Sequence, residues 1–553
     1  MPTSAASRLV DALLAHGVDR TFCVPGESYL NVLDALRDSG IDTIAARQEG
    51  GACMMAEADA KLTGRPGVCF VTRGPGATNA SSGVHVAEQD STPLILFVGQ
   101  VSTDMLGRGA FQEVDYQKFF GGMAKRVFQL APGDDPAEVV STAFHIASSD
   151  RPGPVVIALP EDLQDDLPGD LAEVKTQAPI ESTPSGEEVA ALAAALAGAD
   201  KPMVLAGGSG WSADGIGALQ QLAESLALPV AVTFRRQQLF NHDHQNYAGD
   251  CGIGINPALR RRIEDADLVL VLGSRFSEIP SQGYTLLETA RTGHKLIHVH
   301  SSEGDRFPFA DQVIRCHPQA VIQALLAASD DSMNAAAAGG RAEFLKEARD
   351  DFEAWSGQAP VIPGELQMGQ VVQQLRAALP DNAIITNGAG NYATWIHRYF
   401  RFRGHATQLA PTSGSMGYGM PAAVAAKLRY PDRPVICMAG DGCFQMTGQE
   451  LGTAAQYGAN VIVIVVDNGM YGTIRMHQER RFPRRKVATD IINPDFAALA
   501  RAYGAYGATV TGTDAFAAAL DEALAAGTPA LLHLLLDPEA ITPTATLTQL
   551  SGV

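Results

Sequence analysis

Residues Ala439–Asn468, AGDGCFQMTGQELGTAAQYGANVIVIVVDN, decide how this chain is read. They open with Gly440-Asp441-Gly442, pass through a helix-like segment and close on an apolar run ending at Asp467-Asn468. Asp441 and Asn468 lie 27 positions apart (468 − 441). A helix between two parallel strands returns the chain to the same sheet edge, so this spacing predicts that both side chains end there. One carboxylate, one amide oxygen and a nearby backbone carbonyl form an incomplete oxygen cage. Mg²⁺ occupies such sites and completes its octahedron with phosphate oxygens. Gly440 and Gly442 let backbone N–H groups approach a diphosphate, helped by a helix N-terminus.

The whole chain sets broader bounds. Its 553 residues correspond to about three or four domains. A hydrophobic content of 46% with 18% charged residues is that of a globular protein. The formal charge of −20 argues against nucleic acid or an anionic membrane as partner. Seven cysteines, at 23, 53, 69, 251, 316, 437 and 443, show neither metal-ligand spacing nor a secreted-domain framework. Reduced thiols and a cytoplasmic location are expected. The N-terminal stretch MPTSAASRLVDALLAHGVD reads as an amphipathic helix rather than a signal peptide, and no apolar run is long enough to span a bilayer.

Short apolar runs alternate with helical patterns in three blocks, which predicts an α/β protein of three doubly wound parallel-sheet domains. The first covers 1–165, with runs at 67–72 and 93–99, and a polar stretch at 166–186 follows it. The second covers 187–340, with runs at 202–208, 229–234, 268–274 and 295–300, and closes in an Ala/Ser/Gly segment near 328–340. The third covers 365–540, and the polar, threonine-rich residues after it are expected to form a mobile tail. The first and third blocks look alike in layout.

In the first block, a buried-type run leads into Arg47-Gln48-Glu49 and then a small-residue helix. Glu49 thus sits where a strand end meets a helix start, a usual place for functional groups in open parallel sheets. A second run leads into Thr72-Arg73-Gly74-Pro75-Gly76-Ala77-Thr78-Asn79, a loop whose glycines let backbone approach a flat ligand.

Together these stretches resemble the thiamine diphosphate-dependent enzymes, over nearly the whole chain and in the order pyrimidine, middle and diphosphate domain. The nearest resemblance is to the acetolactate synthase catalytic subunit and the pyruvate oxidases. It implies thiamine diphosphate and Mg²⁺, with Asp441, Asn468 and the Met470 carbonyl on the metal. Gly440, Gly442, Cys443, Tyr471, Gly472 and Ile474 then lie beside the cofactor, with Gly388, Asn391 and Tyr392 from a neighbouring loop. Pro25, Gly26, Thr72, Gly76 and Asn79 fall on the pyrimidine side, with Glu49 as the acid against pyrimidine N1′. Met416, behind Gly414, matches the apolar wedge that folds the two cofactor rings together. In the family Glu49 and Asp441 meet across a subunit interface, so a homodimer or a tetramer is implied.

The resemblance also bears on the reaction. Phe111 and Gln112, in Ala110-Phe111-Gln112-Glu113, match the segment that acetolactate synthases place near the reacting carbon. Downstream the chain departs: Thr473-Ile474-Arg475-Met476-His477 stands where they carry Met-Val-x-Gln-Trp, so the acceptor-pocket tryptophan is His477, a group able to transfer protons. Arg475 could meet an anionic substrate. In the middle block His298-Val299-His300-Ser301-Ser302 lacks both aspartates of the family's FAD-binding strand end, which leaves FAD as an open expectation. Decarboxylation of a 2-oxo acid, with pyruvate first in line, followed by ligation to a carbonyl acceptor is the leading reading. A non-ligating decarboxylase or C–C lyase, a flavin-linked oxidoreductase and a non-catalytic cofactor-binding scaffold are the alternatives.

Overall fold

Strands buried on both faces of a parallel sheet have no polar side, and this is why uninterrupted aliphatic runs form the inner strands here. The structure, a computed structural model, describes residues 4–165, 173–287, 295–302, 309–328 and 340–552. The expected break at 328–340 lies outside them for residues 329–339, as do residues 166–172 of the polar stretch.

Three six-stranded sheets are present, and their strands pair in parallel. The first contains β1 (Arg20–Cys23), β2 (Asp42–Ala45), β3 (Gly67–Val71), β4 (Leu94–Gln100), β5 (Arg126–Gln129) and β6 (Pro154–Pro160) in the order β2-β1-β3-β4-β6-β5. The second contains β7 (Pro202–Ala206), β8 (Val230–Thr233), β9 (Tyr247–Cys251), β10 (Leu268–Leu272), β11 (Lys295–Val299) and β12 (Gln312–Ile314), ordered β12-β11-β10-β7-β8-β9. The third contains β13 (Ile384–Asn387), β14 (Gln408–Leu409), β15 (Val435–Gly440), β16 (Ile462–Asp467), β17 (Tyr506–Val510) and β18 (Ala530–Leu535), ordered β14-β13-β15-β16-β18-β17. Counted from its own first strand, the third sheet repeats the order of the first, while the middle sheet has the Rossmann order.

The chain divides into two compact units. One comprises Met1–Ile180, Pro411–Pro431 and Gln445–Asn460, and so holds the first sheet. Its core includes Phe70 stacked on Phe97 of the neighbouring strand, ring centroids 4.5 Å apart. The other comprises Glu181–Ala410, Asp432–Phe444 and Val461–Val553, and holds the middle and third sheets. Among the described residues no helix is long and apolar enough to cross a membrane, and all seven cysteines are buried and free.

Two expectations change. The helix foreseen between Asp441 and Asn468 is broken into Asp441–Phe444 and Glu450–Gln456. Gly448 lies in the break, and the second piece packs in the first unit while the first stays with β15. The C-terminal stretch is also not a loose tail. Thr546 and Gln549 form a capping box for the helix Leu547–Leu550, and Leu547 packs with Ile541, Met476, Met470 and Leu550. Polar composition hid an apolar face of three residues.

His242 shows what burial does to charge in the second unit. It is 2% exposed, stacked on Tyr247 at 4.0 Å, with Nε2 2.9 Å from the Gln237 carbonyl. Burial, with Arg401 and Arg349 adding repulsion, holds its pKa down at about 3. The unfolded chain takes up a proton near pH 6.5 where the folded chain does not, so stability present above 6.5 is lost as pH falls toward 3. Between pH 7 and pH 5 this costs about 2 kcal/mol. His242→Gln should therefore lose less of its melting temperature over that interval than the wild type does. Equal losses in the two proteins would refute the assignment.

Candidate active site

In an open parallel sheet the strand ends flank a crevice where the strand order reverses. In the third sheet that point lies between β13 and β15, whose ends lead into Gly388 and Asp441; β16, next to β15, ends at Asp467-Asn468. The two ends of the decisive stretch do therefore reach one sheet edge. Asp441 is 3% exposed, with Oδ1 accepting from the Gly442 N–H at 2.8 Å and Oδ2 from Asn493 Nδ2 at 2.8 Å. The same Asn493 nitrogen donates to Asp467 Oδ1 at 2.7 Å. Asp467 also accepts from the Gly469 N–H at 2.9 Å, and its Oδ2 lies 2.8 Å from His533 Nε2.

These contacts explain the charge state of the pair. Burial pushes the Asp441 carboxyl up, and the neighbouring Asp467 charge pushes the same way. Burial also works against the Asp467 anion, but His533, Gly469 and Asn493 outweigh it and hold that carboxyl below its ordinary value.

The residues fit a hard cation. Gly469 and Ile491 exchange a hydrogen bond, as do Tyr471 and Thr489, and neither bond uses the Met470 carbonyl, although Met470 faces Asp490 in that bridge. A Cβ at Gly472 would lie 3.1 Å from Asn468 Nδ2, so the next helix starts directly against that amide. Carboxylate, amide and carbonyl oxygens are what Mg²⁺ selects.

The two glycines flanking Asp441 have a packing role as well. A Cβ at Gly440 would stand 2.8 Å from the Tyr392 ring, and one at Gly442 would stand 2.7 Å from the Tyr471 ring. Tyr392 is buried, its hydroxyl accepting from the Gly388 N–H at 3.0 Å and lying 3.2 Å from Cys443 Sγ. Both Tyr392 and Cys443 thus shape the loops at this edge with atoms already engaged. The Gly388 carbonyl accepts from Arg235 and Asn387, each at 2.8 Å. Asn391 accepts from Thr473 Oγ1 at 2.9 Å, tying this loop to the start of the helix Gly472–Arg481.

On that helix Ile474 is 54% exposed and His477 is exposed, while Met476 is buried. Arg475, which the sequence offered to an anionic substrate, already has a carboxylate partner. It pairs with Glu479, which is 3% exposed and also accepts from the Arg484 N–H at 2.9 Å.

In the first unit, the equivalent reversal lies between β1 and β3. Val24-Pro25-Gly26 follows β1, and Thr72 follows β3. A Cβ at Gly26 would lie 2.4 Å from Thr72 Cβ, so only glycine fits there, and Thr72 Oγ1 is 2.8 Å from Ser28 Oγ. Glu49 is the first residue of the helix Glu49–Thr63, whose N-cap Gln48 accepts from the Gly51 N–H. Asn79 Nδ2 donates to Glu49 Oε2 at 3.0 Å, and a Cβ at Gly76 would lie 3.5 Å from Oε1. The acid and its loop are therefore one constellation. Phe111 is 75% exposed beside Gln112, which has φ +63° and packs its backbone on Gly74. Glu113 folds this loop by accepting N–H groups from Gly109 and Ala110, each at 3.0 Å.

Three partners were missed in the sequence. Asn493 and His533 lie far along the chain from the residues they touch. Glu450, wholly buried, accepts from the Arg47 N–H and Thr453 Oγ1 at the start of the Glu49 helix. It sat inside the decisive stretch as Gln449-Glu450 at a helix start, which was the available signal.

The end of β11 in the middle sheet carries imidazoles. His298 Nε2 is 2.8 Å from the Ser274 carbonyl and His300 Nδ1 accepts from the Ser302 N–H, so residues 298–302 present no carboxylate for ribose.

Comparison with known proteins matches all three blocks of the chain. Residues 3–119, 189–325 and 388–534 match the models for the N-terminal TPP-binding, central and C-terminal TPP-binding domains of thiamine pyrophosphate enzymes. The chain is 31% identical over 537 residues to acetolactate synthase isozyme 2 large subunit of Escherichia coli, covering 97% of this chain and 96% of that protein. It is 32% identical to the acetolactate synthase large subunit of Parasynechococcus marenigrum (96% and 87% covered). It is 30% identical to the probable acetolactate synthase large subunit of Methanocaldococcus jannaschii (97% and 93% covered).

Asn493→Ala would leave Asp441 and Asp467 facing each other without their shared donor. The metal-free protein should lose about 1–3 kcal/mol, and Mg²⁺ should raise its melting temperature more than it raises the wild type's. An unchanged Mg²⁺ response would place the cation elsewhere.

Proposed function

The chain belongs to the thiamine pyrophosphate enzyme family, and on that premise we propose that it decarboxylates a 2-oxo acid, pyruvate first, and ligates the remaining fragment to a carbonyl acceptor. The observation that carries this reading is the paired constellation: Glu49 held by Asn79 on one unit, and Asp441 with Asn468 and Met470 at one sheet edge on the other. Likeness to acetolactate synthase large subunits supports the ligase branch, as does the Phe111-Gln112 loop.

Thiamine diphosphate would supply, when bound, a nucleophilic carbon in a thiazolium ring that takes up the electron pair left when CO₂ departs. Asp441, Asn468 and the Met470 carbonyl hold Mg²⁺ for its diphosphate. Glu49 holds a proton at the pyrimidine nitrogen, with Asn79 fixing which oxygen faces it. Phe111 on the first unit, and Ile474 with His477 on the second, are our candidates for the acceptor side, and the exposed imidazole offers a polar, proton-transferring surface in place of an indole. Membership of the thiamine pyrophosphate enzyme family supports a homo-oligomer, a dimer or tetramer, with active sites at the subunit interface. His298 and His300 stand at the end of β11, where the resemblance would place carboxylates for a flavin nucleotide, and the ligation needs no flavin. A non-ligating decarboxylase remains the second reading because His477 replaces the acceptor-pocket tryptophan.

Purified protein with thiamine diphosphate and Mg²⁺ should consume pyruvate and release acetolactate and CO₂, with no flavin absorbance. Aldehyde without acetolactate would move the assignment to a simple decarboxylase, and a yellow protein would reopen the oxidoreductase reading. Glu49→Gln should lower kcat by roughly 10²–10⁴ while leaving the melting temperature near wild type. Asp441→Ala should lose Mg²⁺-dependent cofactor retention. Near-normal turnover by Glu49→Gln would sink the mechanism.

A further inference from the structure

The loop carrying Gly414 and Met416 is pinned at both ends by buried carboxylates of its own unit. At its start the Thr412 N–H donates to both oxygens of Asp90 (3.1 and 3.2 Å), and Thr412 Oγ1 donates to the Gln89 carbonyl at 3.2 Å. At its end the Tyr418 hydroxyl donates to Glu57 Oε2 at 2.6 Å, and Thr447 Oγ1 donates to the Gly417 carbonyl at 2.6 Å. Glu57 and Asp90 lie on different helices, Glu49–Thr63 and Pro75–Asp90. One cation joins them: Lys61 Nζ is 2.9 Å from Glu57 Oε1 and 3.0 Å from Asp90 Oδ2. It also donates to the Tyr418 hydroxyl at 3.3 Å and sits 4.9 Å from that ring's centre. Both carboxylate side chains are fully buried.

A buried charge network of this kind is a weak route to stability, because desolvation offsets most of the attraction. What it does provide is a single geometry. Between the two pins, Gly414 and Gly417 have φ +71° and +82°, a backbone free to adopt many shapes unless its ends are held. Met416, half-buried between them, keeps a face for a ligand.

We infer that Lys61, with Glu57, Asp90 and Tyr418, forms a positioning bracket that sets the Met416 loop, and through it the conformation of bound thiamine diphosphate. This rests on the wedge role proposed for Met416. The bracket differs from a general staple between helices. Arg429 supplies such a staple at the far end of the helix Gly419–Arg429, bonding both oxygens of Asp59 at 2.8 Å and pairing with Asp19, without touching the loop.

Four full-length variants test the bracket: Tyr418→Phe, Lys61→Met, Lys61→Arg and Arg429→Gln. Each is measured for melting temperature, for thiamine diphosphate affinity with Mg²⁺, and for exchange of the bound cofactor's C2 hydrogen with deuterium at saturation. That exchange needs no substrate, so it does not depend on which 2-oxo acid is used. Tyr418→Phe and Lys61→Met should slow it roughly ten- to a hundredfold, Lys61→Arg should recover part of the loss, and Arg429→Gln should exchange at the wild-type rate. Wild-type exchange in Tyr418→Phe, or an equal loss in Arg429→Gln, would overturn the bracket. Tyr418→Phe removes one hydroxyl and decides the matter if Lys61→Met does not fold. Exchange that is absent even from the wild type would instead count against the proposed function.

Discussion

A parallel sheet opens a crevice at its carboxyl edge where the strand order reverses, and this constraint locates the chemistry of the protein. In the first sheet the reversal falls between β1 and β3, in the third between β13 and β15. The loops leaving those four strands carry Gly26, Thr72, Gly388 and Asp441, and the adjoining helices and strand add Glu49 and Asn468. Two sheets of one topology are thus specialised by what stands at the same place in each. One presents Glu49 bonded to the Asn79 amide, the other the Asp441 carboxylate and the Asn468 amide proposed as metal ligands. The middle sheet has a reversal too, between β7 and β10, but imidazoles occupy the strand end where ribose would need acceptors.

Holding anions at these edges requires donors in low-dielectric surroundings, and the structure provides them from distant segments. Asn493 and His533 serve Asp441 and Asp467; the Arg47 N–H and Thr453 serve Glu450. Glycines at the same edges are set as much by side-chain packing as by ligand approach. Tyr392 and Tyr471 occupy the volume that a Cβ at Gly440 or Gly442 would need.

The inner strands were legible because burial on both faces leaves an aliphatic run, as in LVLVL at β10 and VICMAG at β15. Edge strands were less so. RVFQ in β5 and YGATV in β17 each mix buried and exposed positions, and no periodicity separates them from loop. The candidate residues could be named in advance because they stand in local motifs that carry the resemblance to the family. Their partners could not, since nothing in the sequence near Asp441 points to Asn493, nor near Glu49 to Glu450. The break after Phe444 and the helix Leu547–Leu550 escaped for a related reason: both are decided by packing against other segments.

The interleaving of the first unit has a consequence for how the molecule reaches its native state. Tyr418 and Glu57 are separated by 361 positions, Arg429 and Asp59 by 370, and Arg47 and Glu450 by 403. The entropy of closing such loops grows only slowly with length, so the separations are tolerable at equilibrium. Kinetically they matter more, because non-local pairings delay folding. Within residues up to 180 Lys61 already pairs with Glu57 and Asp90, whereas Asp59 gains Arg429, Glu57 gains Tyr418 and Asp90 gains Thr412 only from segments 322 to 370 positions further along the chain. Closing the first unit therefore waits on the far half of the chain.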